Sequence, residues 1–201
     1  MLLVVVFMFS FTIQPAFAAT HTNTSYKLFA NEESETVYID GASYTYRYYY
    51  ENGNRAIDIV NNETGNTDKL VYDEAASVMH LNENQFPIVD CITSTSALTY
   101  TNGWESMGTS SYYISWGTAT TAAVVAGMIA IYLGSLGTAG VIAAMGVGAL
   151  GVIAANSSGG TLTTELQELN IPFTTPQYRY IWSFTASTGD TYGPYISHVT
   201  V

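Results

Sequence analysis

The chain has 201 residues, of which 16 are acidic and five basic, giving a formal charge of −11. That balance excludes a nucleic-acid partner and capture by anionic lipid through charge alone, because both require a basic surface. The five cations, Lys27, Arg47, Arg55, Lys69 and Arg179, are scattered, and the single cysteine, Cys91, excludes an internal disulfide.

Residues 1–18, MLLVVVFMFSFTIQPAFA, read as a secretion signal: an apolar stretch Leu2–Phe11, a break at Pro15, and the small-x-small site Ala16-Phe17-Ala18, with cleavage after Ala18. Pro15 and the small-residue site oppose the alternative of a buried N-terminal helix. No Lys or Arg precedes the apolar stretch, which suggests a start codon upstream of Met1. Export with one cysteine fits a Gram-positive source, and Cys91 is expected to serve as a small buried hydrophobe. Cleavage leaves about 183 residues, enough to bury a sizeable core.

After a polar N-terminal segment, 19–35, residues 36–90 read as an antiparallel β-meander. Thr36–Asp40 is a short strand. Tyr44, Tyr46, Tyr48 and Tyr50 then alternate with Thr45, Arg47 and Tyr49, the period of two expected of a half-buried strand. Asn52-Gly53 is a hairpin signal leading into Arg55–Val60. Further strands are expected at Lys69–Tyr72 and Ser77–Leu81. Residues 91–117 form a Ser/Thr-rich connector carrying Trp104, Tyr112, Tyr113 and Trp116, compatible with strands or a linker.

Residues 118–156 are uncharged and rich in Gly, Ala, Val and Ile. Two helices suit them, Ala119–Leu133 and Ala139–Ala155, joined at Gly134–Thr138 as an apolar hairpin. Each half would span about 22–26 Å, slightly short of a hydrocarbon core of about 30 Å. Small residues recur along the run at Gly127, Gly134, Gly137, Gly140, Ala144, Gly148 and Gly151. Such ridges allow close helix approach where water does not drive association, whereas in water each helical glycine costs roughly 0.5–1 kcal/mol. No Lys or Arg lies near either end to set a membrane topology, which argues against a permanent anchor. The remaining readings are a hairpin that leaves its shell for a bilayer and a core that never does. After the run, 157–201 is expected to hold a short helix at Thr163–Asn170 and a β-hairpin, Gln177–Ala186 with Tyr192–Val201.

No catalytic constellation is present. His21, His80 and His198 stand apart, Asp58 and Asp68 could pair but fit the wet face of a sheet, and Glu33 and Glu35 are expected to serve solubility. No nucleophile elbow, phosphate loop or metal spacing occurs. Neither catalytic nor metal-binding nor cofactor-binding residues are therefore assigned, and the protein is not expected to be an enzyme.

The stretches YTYRYYYENGNRAIDIVNNETGNTDKLVYD and VVAGMIAIYLGSLGTAGVIAAMGVGALGVIAA resemble secreted Gram-positive bacteriocin-like proteins of the geobacillin-like, unmodified kind. The resemblance implies killing of related bacteria through their envelope. Membrane-directed bacteriocins are usually cationic and this chain is acidic, so targeting would need an envelope receptor or protein partner.

The expected fold is α+β, with a Tyr-rich antiparallel β-sheet packed around an apolar, Gly/Ala-rich helical hairpin. The expected function is a secreted antimicrobial protein acting on target-cell membranes through that hairpin, oligomerising there and countered by an immunity protein. The alternative is a non-catalytic cell-surface or matrix interaction protein that binds through Tyr44, Tyr46, Tyr48 and Tyr50, with the helix pair only its core. A third reading is a secreted hydrolase.

Overall fold

The computed structural model describes residues 27–94, 103–117 and 120–199, which form a mixed α+β architecture of two antiparallel sheets and a helical unit. After a single turn of helix, α1 (Lys27–Ala30), the first sheet is a meander. Its strands β1 (Ser34–Ile39), β2 (Ala42–Glu51), β3 (Asn54–Asn61), β4 (Thr67–Asp73), β5 (Val78–Leu81) and β6 (Asn84–Pro87) each pair with the next. The second sheet has the order β11-β10-β9-β8-β7, built from β7 (Val89–Ser94), β8 (Trp104–Ser115), β9 (Gly159–Leu169), β10 (Gln177–Ala186) and β11 (Thr191–Val199). Three helices lie between β8 and β9 in the chain: α2 (Ala122–Leu133), α3 (Thr138–Met145) and α4 (Val147–Asn156).

Local chemistry explains the first sheet. Asn52 and Gly53 both take positive φ, 52° and 86°, as a two-residue turn matched to strand twist requires. The turn sets the β2–β3 register at Tyr46↔Ile59 and Tyr48↔Ile57, and β4 continues it with Ile57↔Leu70. Alternation then puts Tyr46, Tyr48, Ile57, Ile59, Leu70 and Met79 fully inside. In the second sheet, Ile114, Leu162, Trp182 and Phe184 are buried, and one apolar core joins them to the first sheet and the helices.

Several sequence expectations are corrected. Thr163–Asn170 is not a short helix; residues to Leu169 belong to β9, hydrogen-bonded on both sides to β8 and β10. Pairing on both edges outweighs the weak helical preference of so short a polar segment, and Leu162 lies in register with Tyr112 and Phe184. The Ser/Thr-rich connector 91–117, open between strands and a linker, takes the strand alternative where described: it contains the end of β7 and the whole of the twelve-residue β8. Its strand pattern was masked by an irregularity between Ser106 and Gly108, which shifts the register and switches faces. Cys91 is exposed, not a buried hydrophobe. The expected signal peptide at 1–18, residues 19–26 of the polar segment, and connector residues 95–102 lie outside the described residues.

Candidate functional site

The uncharged run is three helices rather than a two-helix hairpin. Helix α2 starts at Thr121, whose hydroxyl accepts the Val124 N–H at 3.2 Å, and ends at Gly134, which closes on Ala130 O at φ 64°. The chain then bends by 112° into α3. Gly146, at φ 82° and ψ 146°, separates α3 from α4, so the expected second helix is broken there. The row Gly140, Ala144, Gly148 and Gly151 is consequently not one continuous ridge. Among the described residues, no single helix is long and apolar enough to cross a bilayer; α2 and α3 satisfy length and composition only as a bent pair.

The small residues do different jobs. Gly127 brings α2 onto the first sheet: a Cβ there would stand 2.8 Å from Ile59 Cδ1 and 3.0 Å from Leu70 Cδ1. Gly140 is closed in by the Leu136 side chain, and Gly137 faces the Glu35 carboxylate. Gly148, in contrast, has open space around it. Ten residues of α2 are buried, whereas α4 buries only Leu150 and Ile153. The outer surface of α3 and α4 therefore carries Ala143, Gly148, Val152 and Ala155, small and uncharged.

Two charged residues of the first sheet hold the α2–α3 turn. Arg55 on β3 donates from Nη1 to Tyr132 O at 3.1 Å, placing a cation at the C-terminal end of α2. Glu35 on β1 accepts the Ala139 N–H at 2.9 Å, placing an anion at the N-terminal end of α3. Each charge opposes the partial charge of its helix end. Tyr48 completes the clasp: its hydroxyl donates to Glu35 and accepts the Thr138 N–H at 2.8 Å. Reading Glu35 as a solubilising residue missed this role, since its partners lie about a hundred positions away in sequence. The i,i+2 spacing of Glu35 and Val37 on one strand face was the available signal.

Of the tyrosines considered for surface binding, Tyr46 and Tyr48 are corrected to core residues with no exposure. Tyr46 donates its hydroxyl to Ala123 O at 3.0 Å. Burial, followed by the Glu35 charge, pushes both phenols well above their ordinary value of 10.0. Tyr44 is half-buried and Tyr50 exposed, so only these two remain available to a partner. Asp58 and Asp68 do not pair: Asp58 accepts from Arg47 and Tyr49, and Asp68 from Asn82. Among the described residues, no group of three or more His, Cys, Asp or Glu side chains is placed to hold a metal ion.

No protein-family model, curated protein or solved structure matches this chain.

Proposed function

We propose that this is a secreted, non-catalytic, bacteriocin-like protein that perturbs target-cell membranes through the uncharged helical segment 118–156. The observation that carries the reading is the way this segment is held. Its first helix is sheathed, its last two present a charge-free outer surface, and the turn between the first and second is gripped by Arg55 and Glu35. In the proposed mechanism the sheets dock on an envelope receptor, since an acidic chain lacks charge attraction to anionic lipid. The Arg55 and Glu35 contacts then give way and the segment opens at its turn. Straightened, α2 through α3 would span about 36 Å at 1.5 Å per residue, sufficient for a core of about 30 Å. The small residues would let inserted helices associate.

A second reading is favoured by the near-complete burial of α2: the helices are only a core, and the chain is a cell-surface interaction protein. Dye release from vesicles made of Gram-positive lipid extracts separates the two. The mature chain should release dye at micromolar concentration, and Gly148→Leu, at an open position, should reduce release while leaving the soluble fold intact. Absence of release with every lipid composition, alone and with the Glu35→Gln variant, would sink the membrane reading.

A further inference from the structure

Away from the exposed surface of α3 and α4, a cleft of about 780 Å³ is lined by strands of both sheets and by the end of α2. The sequence drew no attention to it, because its walls come from separate regions of the chain. Tyr72 on β4, Tyr132 at the end of α2 and Tyr112 on β8 form its aromatic side, with ring centroids 5.3 and 5.0 Å apart in succession. Arg55 lies over the Tyr72 ring at 4.9 Å, with Nη2 3.7 Å from Glu74, and so its guanidinium is fixed from both sides. Asp90 and Tyr50 stand exposed on the rim.

This lining narrows the ligand chemistry. Glu74 and Asp90 outnumber Arg55 in a chain of net charge −11, which disfavours an anion. Arg55, beside the tyrosine row, disfavours a compact cation. An acyl chain would need a continuous apolar wall, but Ser77, Ser110, Thr164 and Ser135 interrupt this one. What fits is an uncharged molecule with one apolar face and many hydroxyls. Sugar rings have that character: their C–H faces stack on phenol rings, while their hydroxyls donate to carboxylates and accept from serine and guanidinium. The volume lies within the range of sites that enclose small ligands.

We propose that this cleft is a binding site for neutral glycans. The half-buried Tyr112 and Tyr132 rings, with the exposed Tyr50 at the rim, form the stacking face, and Asp90 and Glu74 accept sugar hydroxyls. The site shares no residue with the exposed surface of α3 and α4, although Arg55 and the α2–α3 turn belong both to its lining and to the clasp on that turn.

Calorimetric titration of the mature chain with chitotetraose, cellotetraose, maltotetraose and mannotetraose tests it, with tetra-alanine as a peptide control. At least one sugar should bind in the sub-millimolar range. Ser110→Trp, which places an indole in the cleft, should weaken that binding by about tenfold, equivalent to about 1.4 kcal/mol. Asp90→Asn should weaken it several-fold, and Gly148→Leu should leave it unchanged. If Ser110→Trp fails to fold, Tyr50→Ala at the exposed rim takes its place. Failure of all four sugars to bind, binding undiminished by the cleft variants, or binding of the peptide alone would overturn the proposal. Dye release measured on the same samples keeps the two ideas apart. Release without sugar binding overturns only the glycan site, and sugar binding without release overturns only the membrane reading.

Discussion

The Ala139 N–H donates to Glu35 Oε1 at 2.9 Å, joining β1 to the start of α3 across 104 positions of sequence. Tyr48 braces the same carboxylate and simultaneously accepts from Thr138. Removing the Tyr48 hydroxyl leaves a buried N–H and a half-buried carboxylate without it. Tyr48→Phe should therefore cost about 2 kcal/mol and lower the Tm by roughly 4–8 °C in a domain of this size. Glu35→Gln, which retains an accepting oxygen and loses only the charge at the helix end, should cost less than about 1 kcal/mol. Thermal unfolding followed by circular dichroism measures both; a Tyr48→Phe protein melting with the wild type would mean the clasp contributes nothing.

Alkaline pH should destabilise the fold through Tyr46 and Tyr48. Both phenols are held neutral in the folded chain, their ionisation raised first by burial and then by Glu35. Their contribution is thus fully present below the ordinary tyrosine value of 10.0 and is lost as pH rises above it. Each should contribute a slope of about 1.4 kcal/mol per pH unit in that window. Urea unfolding at a series of pH values between 8 and 11 should show a plateau followed by a fall. Tyr46→Phe should begin less stable, having lost its bond to Ala123, and decline less steeply.

Gly127 and Gly148 both lie within helices, α2 and α4, but should respond oppositely to alanine. At Gly127 the new methyl would meet Ile59 and Leu70 at 2.8 and 3.0 Å, so Gly127→Ala should destabilise by about 1–3 kcal/mol. At Gly148 nothing lies within 4 Å, and Gly148→Ala should stabilise by up to about 1 kcal/mol through helix propensity. Equal denaturation midpoints for the two variants would contradict this placement of α2.

Cys91 should react with Ellman's reagent in the native protein at close to the rate of a free thiol, because its side chain is exposed on β7. Reaction only after addition of denaturant would place it inside instead. Cys91→Ser should change the unfolding free energy by no more than about 0.5 kcal/mol, the range of ordinary surface substitutions.

How much of this was legible varies by element. The β2–β3 hairpin could be read because its information is local: alternating tyrosines around Asn52-Gly53 specify both strand and turn. Strand β10 was equally plain from Tyr178, Tyr180, Trp182 and Phe184. Strand β9 was not, since Thr163–Leu169 becomes a strand only by pairing with β8 and β10. The tyrosine ladder shows the same limit within one element. Its period of two was visible, but which tyrosines were covered depended on the element packed against them. Tyr46 meets Ala123 of α2 and Tyr48 meets Thr138 of α3, while Tyr50 remains open.

By itself the sequence determined a strand-rich acidic chain containing one uncharged, glycine-punctuated helical segment, because periodicity, turn chemistry and charge act over a few neighbouring residues. Tertiary structure decided that the segment bends at Gly134, breaks at Gly146 and is gripped by Arg55 and Glu35. It also assembled the Tyr72–Tyr132–Tyr112 wall from three distant elements. Hydrogen bonds and ring contacts of that kind depend on distances in space, which separation along the chain does not encode.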